Sequence, residues 1–147
     1  MGWTATTTPR EANRKDGKVV ALPMVTAETI YKGDIVRSIA ASGLVTSSGA
    51  PATGDVFVGI ASETVKVATA LQLIKIEQEG SYDFTCASFA TANIGDIAYL
   101  DVATNQQTVA SSSGTHAVAI GTIVSVNLVT SATSCRVKIL APSAAAS

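Results

Sequence analysis

Apolar residues along this chain alternate with polar ones or gather in short unbroken runs, and the three-to-four spacing of a helix is almost nowhere sustained. Cys135-Arg136-Val137-Lys138-Ile139 places Cys135, Val137 and Ile139 on one face and Arg136 and Lys138 on the other. Ile74-Lys75-Ile76-Glu77 and Tyr82-Asp83-Phe84-Thr85-Cys86 alternate in the same way. The pattern predicts strands over Val19–Met24, Ile35–Ala40, Leu44–Thr46, Phe57–Ala61 and Leu71–Gln78. Further strands are predicted over Ser81–Thr85, Ile97–Asp101, Thr108–Ala110, Ala117–Asn127 and Cys135–Leu140. Only Ser62–Ala70 and Ser88–Asn93 leave room for a helical turn.

Gly-Asp directly precedes an apolar run three times, in Gly33-Asp34-Ile35-Val36, Gly54-Asp55-Val56-Phe57 and Gly95-Asp96-Ile97-Ala98. Glycine can take positive φ in a turn, and the Asp carboxylate can accept from nearby backbone N–H groups. The irregular spacing of these pairs argues against a solenoid. Many short strands with turn signals predict an all-β protein, a single compact β-barrel or β-sandwich domain of about ten short strands. That domain covers residues 19–142. Residues 1–18 read as an extended polar N-terminal arm and residues 143–147 as a flexible C-terminal tail.

Composition narrows the function. Of 147 residues, 47% are apolar and 14% charged, with a net charge of −1, so the chain is neither a disordered polyelectrolyte nor a phosphate-dominated nucleic-acid binder. No apolar run approaches the ~20 residues of a membrane span. The polar first twenty residues hold no secretory h-region. Two cysteines, Cys86 and Cys135, are too few for a disulfide framework or a four-thiolate zinc site, which points to synthesis in a reducing cytosol.

Catalytic signals are weak. The single histidine, His116, follows Ser113-Gly114-Thr115 without a nucleophile elbow, and a plain loop histidine accounts for it. Cys86 and Cys135 sit on the apolar phases of their strands and read as buried structural thiols, able to pair if their strands are neighbours. The Gly-Asp pairs lack the ligand spacing of a calcium loop. Glu77, Glu79 and Asp83 surround what reads as a solvated hairpin turn, and Ser48–Gly54 lacks the Lys-Ser/Thr of a phosphate-binding loop. The reading is a non-enzyme with no cofactor and no metal. Most aromatic residues fall on core phases. Trp3 is the exception, in an arm with four bases (Arg10, Arg14, Lys15, Lys18) against two acids (Glu11, Asp16). Either that arm is disordered, or Trp3 becomes buried on a partner.

The whole chain carries an ordered series of segments: Tyr31-Lys32-Gly33-Asp34-Ile35-Val36, Phe57-Val58-Gly59-Ile60-Ala61 and Lys75-Ile76-Glu77-Gln78-Glu79-Gly80. Ile94-Gly95-Asp96-Ile97-Ala98-Tyr99-Leu100-Asp101, Ala119-Ile120-Gly121-Thr122-Ile123-Val124 and Arg136-Val137-Lys138-Ile139 complete it. The series, covering about three-quarters of the chain, resembles the small capsid decoration (cement) proteins of tailed bacteriophages. The N-terminal eighteen residues depart from that family in being longer and more polar.

The resemblance implies a non-enzymatic β domain, made in the host cytoplasm, that binds the outer surface of the virion capsid. There it would clamp neighbouring major capsid subunits, often as a homotrimer at threefold positions, without contacting nucleic acid or membrane. Trp3, with Arg10, Arg14, Lys15 and Lys18, is then the expected capsid-binding set. The rival expectation is a receptor- or glycan-binding β module of a phage tail or cell-surface protein.

Overall fold

In a computed structural model, which describes residues 19–49, 51–67, 70–103, 106–111, 118–126 and 132–144, the chain is all-β. The first half holds β1 (Val19–Pro23), β2 (Glu28–Ile30), β3 (Ile35–Ser38), β4 (Val45–Thr46), β5 (Val56–Ala61), β6 (Val65–Val67) and β7 (Leu73–Glu77). The second half holds β8 (Ser81–Phe89), β9 (Ile97–Ala103), β10 (Gln106–Ala110), β11 (Val118–Val126), β12 (Ala132–Ile139) and β13 (Ser143–Ala144). A single 3-10 turn over Thr91–Asn93 is the helical element among the described residues.

The first half forms a sheet in the order β1-β7-β5-β3-β4, with β2 and β6 as a separate antiparallel ribbon. The second half closes into a five-stranded barrel, β10-β8-β12-β11-β9, in which only the β8–β10 contact is parallel. Closure removes exposed strand edges from that half.

The sheet is apolar on both sides. Val36, Val58, Ala61, Ile74 and Ile76 face one cluster, covered by Ile30 and Val67 of the β2–β6 ribbon together with Met24 and Val45. Ile35, Phe57 and Ile60 face the other way and join Leu100, Val109, Val118, Ile120, Ile123 and Val137 of the barrel in one core. Strict alternation along β5 would send Phe57 and Ile60 to opposite faces. A bulge prevents this: Val36 pairs with Gly59 and Arg37 with Phe57, leaving Val58 as the extra residue.

Gly59 sits at φ 142°, and a Cβ there would run into the Glu77 carbonyl of β7. The barrel repeats the device at Gly121, where the register with β9 slips past Ile120 and a Cβ would meet the Lys138 carbonyl of β12. The re-phasing sends Ile120 and Ile123 into the same core although three positions separate them.

Several expectations need correction. Strands β2, β6 and β13 were not anticipated; Ser62–Ala70, read as a possible helical turn, contains β6 instead. Glu77–Ser81 is not a hairpin turn. Its flanking strands β7 and β8 do not pair, and the segment carries the chain from the sheet into the barrel. The first two residues of the expected tail, Ser143 and Ala144, form β13. β7 pairs with β5 only at Ile60 and Ala61, and β13 pairs with the rest of that edge, Ser143 with Phe57 and Ala144 with Val56. The arm 1–18, His116 and residues 145–147 lie outside the described residues.

Replacing Gly59 or Gly121 by alanine should cost about 3 kcal/mol or more, because positive φ and a backbone collision act together. Urea denaturation followed by circular dichroism measures this. Gly43→Ala, with nothing within 4 Å of the new methyl, serves as the milder comparison.

Candidate functional site

A groove of about 610 Å³ opens between the β3–β4 side of the sheet and the outside of β8. Its chemistry begins with the first Gly-Asp turn. Gly33 takes φ 92°, and Asp34 Oδ2 accepts from the Tyr31 backbone N–H at 3.0 Å, which closes the turn. The same oxygen accepts from the Ser47 hydroxyl at 2.9 Å. This tight turn pushes the Tyr31 ring outward, 61% exposed. The aromatic inventory thus departs from expectation, since Tyr31 is exposed and not on a core phase.

Behind the groove runs a chain of charged and hydroxyl groups. Glu28 of β2 accepts from Thr46 Oγ1 at 2.6 Å and from the Ser47 N–H at 3.0 Å. Arg37 of β3 donates through Nη2 to the Ser48 carbonyl at 2.9 Å and through Nε to Asp55 at 3.1 Å. Thr46, Ser47, Arg37 and Asp55 are all buried, so these contacts hold the segment after β4 in place without bulk water.

The second Gly-Asp pair is therefore a structural anchor. Asp55 Oδ2 accepts from the Ala52 N–H at 2.9 Å and Oδ1 from the Ala40 N–H at 3.1 Å, in addition to Arg37. Burial by itself raises the Asp55 pKa, but the two backbone donors and Arg37 outweigh it and hold the carboxyl below its ordinary value. The third pair is also a turn: Asn93 Nδ2 donates to Asp96 Oδ2 at 3.1 Å, and the Asp96 carbonyl accepts from the Ile123 N–H at 2.9 Å. No three-ligand metal cluster occurs among the described residues.

The opposite wall is built by the alternation of β8. Asp83 and Thr85 face outward, while Cys86 faces the core. Arg136, directly opposite on β12, forms a two-point pair with Asp83, Nε to Oδ1 at 2.9 Å and Nη2 to Oδ2 at 3.3 Å. The Arg136 hydrogen bond holds the Asp83 carboxyl below its usual range. Beside it the Tyr82 hydroxyl donates to Glu77 and lies 3.1 Å from the Glu79 carbonyl, tying the barrel to the sheet. Burial, then the Glu77 contact, pushes the Tyr82 phenol up to about 12.

Outside the groove, large apolar side chains face solvent in two regions. Val19 and Leu73 belong to the same sheet face as Ile60, at opposite ends of the β1–β7 ladder, and Leu71 is exposed just before β7. On the barrel, Ile94, Ile97, Val124 and Leu140 are 40–70% exposed. The sequence-predicted partner set, Trp3, Arg10, Arg14, Lys15 and Lys18, lies outside the described residues. Both regions were missed by reading for chemistry. The signal available was apolar residues on the polar phase, as with Leu73 beside Ile74.

Compared with known protein families, curated proteins and solved structures, the chain finds no match.

Asp55→Ala should lower stability by about 3–5 kcal/mol, since it strands the buried Arg37 charge. Because the folded pKa of Asp55 is depressed, its stabilisation is present above the ordinary carboxyl value near 3.8 and is lost as pH falls through the lower folded value. Acid melts of wild type and Asp55→Ala should therefore converge below that range. Phenolate absorbance on raising the pH should show a late step near 12 from Tyr82, and Tyr82→Phe should remove that step.

Proposed function

We propose that this protein is a structural component of a tailed-phage virion that binds the outside of the capsid and clamps neighbouring major capsid subunits. The observation that carries the reading is the pair of exposed apolar regions on a closed β scaffold, Val19, Leu71 and Leu73 on the sheet and Ile94, Ile97, Val124 and Leu140 on the barrel. Large apolar side chains left facing solvent on one face offer area for contact with another macromolecule. Two such regions on one rigid body suit a clamp better than a single-site binder. The ordered motif series that resembles decoration proteins supports the same reading, and Gly59 and Gly121 of that series serve the bulges that shape the core. On the capsid the protein acts as a homotrimer, made in the host cytoplasm. Each copy contributes a modest contact, and the lattice gains its resistance from many copies acting together. The arm contributes Trp3 as an apolar anchor, with Arg10, Arg14, Lys15 and Lys18 meeting acidic capsid surface.

Co-sedimentation with DNA-filled heads of the phage whose genome carries this sequence tests the proposal. Saturable binding is expected, with density at threefold positions in electron-microscopy maps. Failure to sediment with heads counts against it, and one copy at each capsomer centre counts against the trimer. The double variant Leu71→Ser, Leu73→Ser should weaken binding by roughly tenfold or more with an unchanged melting midpoint. Removing residues 1–18 should likewise spare the melt and reduce occupancy.

A second reading, a glycan- or receptor-binding module, is favoured by the groove itself. Its exposed Tyr31 ring, the Thr85 hydroxyl and the Asp34 and Asp83 carboxylates are groups of the kind that hold a sugar ring. Binding on a glycan array that Tyr31→Ala abolishes, without head binding, would favour this reading.

A further inference from the structure

The only two cysteines of the chain, 49 positions apart, meet inside the barrel. Cys86 lies on β8 and Cys135 on β12, which pair antiparallel, with Cys135 opposite Phe84 and Cys86 two residues further along the same face. Both side chains are buried, at 5% and 0% exposure, and both belong to the barrel core. The two thiols lie close enough in that core for Cys86 to perturb Cys135. They are present as free thiols, not as a disulfide. Cys86 and Cys135 are diagonal on the β8–β12 pair, so closing an S–S bond asks for a local backbone shift that draws the two strands together at this point, not a new strand register.

Access is the second half of the argument. Every barrel seam except one is an antiparallel ladder of several register pairs. The β8–β10 seam is parallel and registers at a single pair among the described residues, Val109 with Cys86. Among the described residues the barrel's shortest ladder therefore falls at one of the two cysteines. Parting of β10 from β8 uncovers Cys86, whereas Cys135 lies one strand further in, between β8 and β11.

We propose that Cys86 and Cys135 are an oxidisable pair, forming an intramolecular disulfide that locks β8 to β12 when the protein meets a small disulfide oxidant such as oxidised glutathione. Cys86, as thiolate, attacks one sulfur of the oxidant; the oxidant's S–S bond breaks and one glutathione thiolate leaves. Deprotonated Cys135 then attacks the Cys86 sulfur, the Cys86–Cys135 bond forms and the second glutathione thiolate leaves. The two thiols lose two electrons and two protons in all, the oxidant gains the two electrons, and the protons end on the two released glutathiones. Burial, then the neighbouring Cys86, pushes the Cys135 thiol up to about 12, so the closed barrel reacts slowly and oxidation follows opening of the seam. The pair stays reduced in a reducing compartment and closes outside one.

The test uses the full chain. After incubation with oxidised glutathione at mild alkaline pH, the protein is denatured, alkylated and weighed intact. Loss of two hydrogens with no alkyl groups added is the expected result. The melting midpoint should rise by roughly 5–10 °C and return on reduction, as a long closed loop predicts. Cys135→Ala should stop at a single glutathione on Cys86, which the mass reads whatever that variant's stability. Two alkylated thiols, or glutathione retained on the wild-type chain, would overturn the proposal, as would an internal disulfide that leaves the melt unchanged or lowers it. None of these outcomes bears on capsid binding, which is read by sedimentation.

Discussion

Phe57 and Ile60 of β5 pack into the barrel core while Val58 and Ala61 pack into the cluster beneath the β2–β6 ribbon, so one strand must be dry on both faces. The remaining architecture follows from that demand. A sheet buried on both sides needs a cover on each, and the chain supplies a two-stranded ribbon for one and a whole barrel for the other. Burying a side chain such as Phe57 contributes roughly 2–3 kcal/mol, and the bulge at Gly59 is what allows β5 to present Phe57 and Ile60 to the same partner. β13 completes the arrangement by pairing with the part of the β5 edge that β7 does not reach.

The buried polar and charged residues inside this frame, among the described residues, are Arg37, Thr46, Ser47 and Asp55. Arg37 occupies a strand position whose neighbours Ile35 and Val36 are core residues, and a guanidinium buried there is tolerable only with matched partners. Asp55 provides the carboxylate, and its two backbone acceptor contacts bind the 39–55 connection to the strand ends on either side. Glu28, Thr46, Ser47 and Asp34 continue the network to the surface, where it becomes the wall of the groove. Scaffold and groove are thus parts of one hydrogen-bonded unit. A ligand or partner touching Tyr31 or Asp34 would press on a segment that the interior already holds.

The two proposals use different parts of this unit. The proposed capsid contact would draw on exposed apolar side chains on or beside β1, β7, β9, β11 and β12. Oxidation draws on the barrel interior, where β8 and β12 bring two thiols together. Changes at one should leave the other measurable, because the surface residues and the thiols share no direct partner in the register.

Local alternation was enough to read ten of the strands, the buried phases of Cys86, Cys135, Val137, Ile74 and Ile76, and the turn role of the Gly-Asp pairs, since each depends on neighbours within a few residues. The three-residue strands β2 and β6 and the two-residue β13 were not legible. Segments that short carry too little periodicity, and pairing with distant strands is what holds them extended. The same holds for the candidate site. Tyr31 and Asp83 are far apart in the chain, and Arg37 looks like a surface residue until Asp55 is seen beside it. Whether Glu77–Ser81 turns back on itself or crosses into a barrel is equally a tertiary matter, because a turn signal states where the chain bends and not which strand it meets next. The sequence by itself determined which side chains want to be buried. Only the folded chain decided which of them meet, because register and bulges are settled by long-range packing on both faces of β5.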